Sequence, residues 1–293
     1  MTDLAVPAPA PAPGSEARAA RKERLALLLR SPSFILGSIV ILFWVACAIL
    51  GGRVTPYDPL FDQTPDLGVP PSSEYWFGTD RLGRDVFSRV IAGSRDILLV
   101  APLATLLATV FGTALGLTTG YFRGIADDTV SRVIDAVLAI PLIVLAVTVV
   151  SALGNRSVWS VTIVIAAVFS PIIARTVRAS VLGEAQLDYV EAARLRGERS
   201  PYVMFVEVLP NVMPPILVEA TVRLGYAIFA VATLTFIGFG LQPPSADWAV
   251  QIADNYPFLS DQWWTVLFPA IAISSLVVAV NLVSDAIQQV LER

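Results

Sequence analysis

Tyr189-Val190-Glu191-Ala192-Ala193-Arg194-Leu195-Arg196-Gly197, running on to Val208-Leu209-Pro210-Asn211, is a polar interruption between apolar segments long enough to cross a bilayer. The stretch predicts helix, break, helix. Ala, Leu, Glu and Arg favour helix, and Leu187, Val190 and Ala193 recur along one side. Gly197 supplies the left-handed residue that ends a helix, with Arg194 and Arg196 set against the negative end of its dipole. Ser200-Pro201 is expected to cap and open the next helix. A short helix held crosswise outside a membrane suits docking to another protein.

Composition places the rest of the chain in a bilayer. Of its 293 residues 55% are hydrophobic and 15% charged, against about 25% charged in a soluble domain. The net charge of -4 decides little, because orientation depends on where Lys and Arg fall. There is no His, and Cys47 is the sole cysteine, in an apolar stretch where it packs as an inert residue. An internal disulfide, zinc sites and His-based catalytic triads are thereby excluded. Lys22 is the only lysine and Arg21, not Gly, stands directly before it, so the Gly-rich phosphate loop with its Lys is absent. Any ATP-driven step would therefore need other subunits to bind the nucleotide.

Residues 1–30 form a Pro/Ala-rich arm expected to be disordered and cytoplasmic, with the basic cluster Arg18, Arg21, Lys22 and Arg24. Residues 31–96 hold a first span, Phe34–Gly51, and a polar loop from Gly52 to Arg95. Residues 97–293 hold five more spans, near Ile97–Tyr121, Val130–Leu153, Val158–Ala174, Ile216–Leu241 and Val266–Val283. The fold class is therefore all-α and polytopic, with six transmembrane helices. Pro102, Pro141, Pro171 and Pro269 fall inside spans, where they kink a helix and free a carbonyl. With the N-terminus inside, about 13 of the 20 basic residues lie on the cytoplasmic side. Both termini and the 183–210 loop are then cytoplasmic, and Trp263-Trp264 sits at the outer interface.

Glu191-Ala192-Ala193, then Gly197, then Leu209-Pro210 with Pro210 thirteen residues after that Gly, resembles the EAA loop of binding-protein-dependent ABC importer permeases. Glu207 departs from that pattern, which has an aliphatic residue three before the Pro; Val208 is expected to take over its packing. Trp76-Phe77-Gly78-Thr79-Asp80-Arg81-Leu82-Gly83-Arg84-Asp85-Val86-Phe87-Ser88-Arg89 resembles the signature after the first span in the dipeptide, oligopeptide and nickel branch. Its alternating acids and arginines suggest an ion-pair lattice that stiffens an extracytoplasmic loop, or a contact for a substrate-delivering protein. Ile237-Gly238-Phe239-Gly240-Leu241 with Ala246-Asp247-Trp248, and the last span down to Asn281 and Asp285, are similar to that branch too. Gly238 and Gly240 let the span end sharply. Ser245 to Tyr256 is expected to form a short surface helix capped by Ser245. Beyond Asp285, Ala286 to Arg293 departs from the family ending.

The resemblance implies the six-helix permease fold of type I ABC importers and a subunit that catalyses no reaction itself. It implies a second related permease as heterodimer partner, two ABC ATPase subunits that bind ATP and Mg, and an extracytoplasmic solute-binding protein. No metal and no nucleic acid enter the reading. Glu191 would contact the ATPase, Ala192 and Ala193 would keep the helix slim, Gly197 would permit the turn, and Leu209 and Pro210 would anchor the return. The implied site is a prokaryotic cytoplasmic (inner) membrane.

Charges near the membrane are costly, by about 3 kcal/mol or more at mid-bilayer. Arg132 and Asp135, Glu219 and Arg223, and Asn281 and Asp285 cluster near the cytoplasmic ends of the third, fifth and sixth spans. They suggest a polar collar linking helices above the ATPases. An intramembrane aspartyl protease using Asp135 and Asp285 is the reading from another class; it would need the two carboxylates facing each other. For the permease, lack of His, and of any cysteine besides Cys47, disfavours direct nickel handling. A nickel chelate or another small solute stays open, and dipeptides or oligopeptides lead.

Overall fold

The computed structural model describes residue 23, residues 26–154 and residues 157–291. The Pro/Ala-rich arm and the cluster Arg18, Arg21, Lys22 and Arg24 lie outside the described residues. The described residues are helical apart from loops and one isolated bridge, Thr79 to Asp85. In chain order the helices are α1 (Pro32–Val54), α2 (Val86–Phe122), α3 (Ile125–Leu138), α4 (Leu142–Leu153) and α5 (Val158–Glu184). After them come α6 (Asp188–Leu195), α7 (Ser200–Phe236), α8 (Trp248–Asn255) and α9 (Trp264–Leu291).

Five of these, α1, α2, α5, α7 and α9, are long and apolar enough to cross a bilayer. The sixth predicted span, Val130–Leu153, is not one helix. It is the pair α3 and α4, bent by 96°. Pro141 has no amide hydrogen to donate, so the α3 ladder cannot continue through it. Its extended backbone (φ -54, ψ 129) instead starts α4. The helices also outrun the predicted spans: α2 begins at Val86, inside the polar stretch, and α5 continues to Glu184. Pro102, Pro171 and Pro269 lie inside α2, α5 and α9.

The centre of the bundle is α2 against α5. Gly112, Gly116 and Gly120 come once per turn along α2 and lie against Ile173, Val177 and Val181. A Cβ at Gly116 would stand 2.5 Å from the Ala174 carbonyl and 2.7 Å from Val177 Cβ. Small residues at this spacing let helix backbones approach where lipid offers no hydrophobic drive to pack them. Ile97, Val100, Ala101, Ala104, Ile165, Phe169 and Ile173 fill the core around that seam. Helices α7 and α9 close one side and α1 lies across α2 and α9.

The bundle has two unlike ends. The 55–85 loop, α8 and the start of α9 form the upper end, and α6 with the start of α7 forms the lower one. At the upper end of α7, Gly238 (φ +83) closes a Schellman turn, with Gly238 N–H on the Thr235 carbonyl at 3.0 Å and Phe239 N–H on Leu234 at 2.8 Å. The span thus ends at Phe236 rather than Leu241.

Candidate functional site

At the lower end, α6 sits as an eight-residue helix outside the bundle. Val190 and Ala193 are fully buried against the chain, while Glu191, Ala192, Arg194 and Leu195 are exposed. Ala193 therefore seats the helix on its own chain, and Glu191 and Ala192 face outward. Gly197 (φ +81) ends the helix as the sequence predicts, in a second Schellman turn. Its N–H meets the Arg194 carbonyl at 3.0 Å and Glu198 N–H meets Ala193 at 3.3 Å. Asp188 and Glu191 occupy the first turn and Arg194 the last, each favourable to the helix dipole. Ser200 does not cap α7: Arg199 holds the N-cap position and no side chain completes it.

Tyr189 ties α6 to its neighbours. Its hydroxyl donates to Glu184 Oε1 at 2.6 Å and accepts from Asn211 Nδ2 at 2.9 Å. Burial, with Glu184 beside it, pushes the phenol up to about 12. Asn211 Nδ2 also donates to the Glu207 carbonyl at 2.8 Å. The start of α7 is a π-helical stretch, Val203–Val208, in which Val208 is fully buried and Glu207 turns to Arg196 at 3.5 Å. Val208 thus takes the packing place that the departure at Glu207 leaves open. Leu209 is partly buried against the core and Pro210 is exposed. On the other side of α6, Arg194 lies 4.8 Å over the Tyr121 ring at the end of α2. Glu191, Arg194 and Leu195 border a cavity of about 520 Å³ with Tyr121, Arg123 and Gln186.

The three charge sets fall in two places. Asp135 pairs with Arg175 of α5 at 3.6 Å, both largely exposed, and not with Arg132, which is exposed. Glu219 and Arg223 pair on α7 at 2.5 Å, with Arg223 over the Tyr226 ring. Asn281 and Asp285 on α9 line a cavity of about 460 Å³ with Val222, Gly225, Tyr226 and Ser284. The α7 and α9 sets are thus adjacent, and the α3 set is tied to α5. Asp135 and Asp285 have different neighbours, so the facing carboxylates that an aspartyl protease needs are not assembled.

One charged pair escapes sequence reasoning. Arg178 of α5 makes a two-pronged bond to Asp127 of α3, Nε to Oδ1 at 2.6 Å and Nη2 to Oδ2 at 2.8 Å. Planar bidentate pairing of this kind is both strong and orienting. The partners are 51 residues apart, and nothing local marks them.

At the upper end the signature residues build one folded cap. Asp80 is buried, accepts backbone N–H groups of Leu82 and Arg84 at 2.9 Å each, and pairs with Arg84 Nε at 2.6 Å. Arg84 also reaches Asp254 at 3.7 Å. Gly78 and Gly83 both have φ +75, and a Cβ on Gly78 would meet the Val69 carbonyl and the Trp264 ring. Asp85 is the N-cap of α2, accepting from Ser88 N–H at 2.8 Å. Arg89 is buried without an acid; it donates to the carbonyls of Pro59 at 2.9 Å and Ser245 at 3.0 Å. The expected lattice is therefore partly ionic and partly guanidinium-to-carbonyl.

Helix α8 differs from the predicted surface helix. Asp247, not Ser245, is its cap, with Oδ1 accepting from Ala249 and Val250 N–H. Trp248 and Gln251 are buried and donate to the carbonyls of Val90 (2.7 Å) and Arg89 (3.0 Å). The helix is packed into the cap against α2 rather than lying free on the surface. Burial pushes the Asp247 carboxyl up to about 7; the Val250 and Ala249 N–H groups oppose that and the nearby Asp96 adds to it. No metal-binding cluster of His, Cys, Asp and Glu occurs among the described residues.

The chain is a multi-pass helical bundle with an outlying helix at one end and a folded cap at the other. Residues 112–293 match the family described as binding-protein-dependent transport system inner membrane component, and the chain belongs to it, the permease subunits of ABC importers. A putative peptide transport system permease protein of Brucella suis is 37% identical over 90% of this chain and 89% of its own. The dipeptide transport system permease protein DppC of Alkalihalophilus pseudofirmus is 35% identical over 92% and 89%. The glutathione transport system permease protein GsiD of Pectobacterium atrosepticum is 35% identical over 90% and 88%. An inward-facing structure of the MetNI methionine ABC transporter shares the fold, with TM-score 0.58 and 19% identity over 70% of this chain and 97% of that one.

Proposed function

We propose that this chain is one of two related permeases of an ATP-driven peptide importer in the cytoplasmic membrane of a prokaryote, and is itself non-catalytic. The observation that carries the reading is α6, whose buried face is sealed to its own chain while Glu191, Ala192 and Leu195 are exposed on the other. That is the arrangement of a helix made to seat in another subunit. The partner would be one of two ATPases that hold ATP and Mg, with a solute-binding protein delivering substrate at the opposite end. Peptides as cargo rest on the relatives from Brucella and Alkalihalophilus, a putative peptide and a dipeptide transport permease that align over most of the chain.

In this mechanism the lower end is cytoplasmic, as the bias of basic residues favours. Movement of α6 reaches α7 through Tyr189 and Asn211, and reaches α5 through Glu184. Residues 97–293 form the moving core, and residues 31–96 supply an accessory first span and most of the cap. The signature residues Gly78, Asp80, Gly83, Arg84 and Asp85 keep the cap in one shape. The charges on α7 and α9, with the α3–α5 pairs, brace the helices above the ATPase. Substrate must bind inward- and outward-facing states unequally, since equal affinity shifts no population.

The test is uptake of labelled di-, tri- and pentapeptides by source cells that carry the native chain or its deletion. Uptake lost with the deletion and restored by the native chain is expected, with the length series defining the cargo class. Unchanged uptake in cells lacking other peptide systems would refute peptide cargo and turn attention to a metal chelate or other small solute.

A further inference from the structure

We infer that the cleft between α1 and α2 at the upper end is a binding site for an anionic phospholipid of the adjoining leaflet. Two cavities meet there. The upper one, about 1010 Å³, is bordered by Gly52, Arg53, Arg95, Pro244 and Ser245. The lower one, about 300 Å³, is walled by Ile41, Val45, Pro102, Leu224 and Leu276. Ala48, Ile49 and Leu98 line both, so the polar chamber opens directly into an apolar groove.

Charge fits the upper chamber to a phosphate. Arg53, in the last turn of α1, and Arg95 of α2 are exposed and form no ion pair among the described residues. Asp96 is the acid of the chamber, and its Oδ2 is held by Ser245 Oγ at 2.7 Å. Arg89 behind it is buried and donates to two backbone carbonyls. Two guanidiniums against one engaged carboxylate leave a cationic site, and guanidinium geometry matches phosphate oxygens.

Depth fits the lower groove to an acyl chain. Ile41 lies twelve residues before Arg53 on α1, about 18 Å below it at about 1.5 Å per residue. One leaflet of the hydrocarbon core is about 15 Å thick. The groove thus runs one leaflet deep beneath a headgroup-level cation pair. Ile49 and Leu99, 75% and 51% exposed, flank its mouth. Basic residues at this level attract anionic headgroups. Under the orientation proposed above the leaflet is the outer one, but the site does not depend on that assignment.

The experiment uses the full chain in its assembled importer, delipidated in detergent and titrated with phosphatidylglycerol, phosphatidylcholine or inorganic phosphate. Native mass spectrometry reads retained lipid and thermal unfolding reads stabilisation. Phosphatidylglycerol is expected to be retained at least fivefold better than phosphatidylcholine, and to raise the transition where inorganic phosphate does not. Arg53→Gln with Arg95→Gln should abolish that preference, and Ala48→Trp should reduce retention of both lipids. Equal retention of the two lipids, undiminished preference in the double variant, or an equal response to inorganic phosphate would overturn the proposal. So would efficient cross-linking of Leu99→Cys to the second permease in native membranes, which would make the cleft a protein interface.

Discussion

Asn211 Nδ2 donates a 2.9 Å hydrogen bond to the hydroxyl of Tyr189, joining the outlying helix α6 to the first turns of α7. The same hydroxyl donates to Glu184 at the end of α5. Three helices thus meet at one oxygen, and a push on α6 has a stiff route into two membrane spans.

Tyr189→Phe removes that oxygen and leaves Asn211 and Glu184 without it. Losing such bonds costs about 1–3 kcal/mol. Peptide uptake by the reconstituted importer should fall several-fold while ATP hydrolysis persists, and protease should cut the 189–211 segment faster. Wild-type uptake would show that the route lies elsewhere.

Gly197 has open space around its Cβ position, so only its φ of +81 limits substitution. Asn visits this region readily, whereas Ala costs about 1–2 kcal/mol. Asp adds a negative charge at the negative end of the α6 dipole, worth about a further 0.3–1 kcal/mol against it. We expect Asn to be tolerated and Ala to impair transport. Gly197→Asp should insert normally but uncouple hydrolysis from uptake, measured together in one vesicle preparation.

Gly116→Leu should prevent stable assembly, because even a Cβ there meets the Ala174 carbonyl at 2.5 Å. Gly183→Ala is the control: nothing lies within 4 Å of its Cβ position, so expression and size-exclusion profile should match wild type. Equal behaviour of the two variants would contradict the close packing of α2 on α5.

Asp247 links the cap to pH. Its folded carboxyl titrates at about 7 against an ordinary 3.8, so between those values the folded chain holds a proton that the unfolded chain releases. Stability therefore falls as pH rises through that window and levels off above about 7. Thermal unfolding at pH 5 should exceed that at pH 8 by a few degrees, and Asp247→Asn should flatten the difference. Asn keeps the cap acceptor for Ala249 and Val250.

What the sequence made legible was local. The α6 helix, its Gly197 stop and the Gly238 stop each follow from residues within one turn. The break in the third span was half visible: Pro141 announces a kink, but the 96° bend depends on what α3 and α4 pack against. Pairings across long separations were hidden. Asp135 finds Arg175 rather than Arg132, and Asp127 finds Arg178, because the close approach of α2 and α5 brings α3 beside α5. The packing of the 242–263 connection is hidden for the same reason. Trp248 and Gln251 look like surface residues until their partners, the carbonyls of Val90 and Arg89, are in place.

The most direct test of the account is Leu195→Asp in the reconstituted importer, with ATP hydrolysis and labelled dipeptide uptake measured on the same vesicles. Leu195 is 83% exposed, so its replacement disturbs little of the chain's own packing. If α6 is the seat of the ATPase, uptake falls at least tenfold, about 1.4 kcal/mol of lost coupling or binding, in a subunit that inserts and folds as wild type. Unchanged uptake and hydrolysis would contradict the central claim.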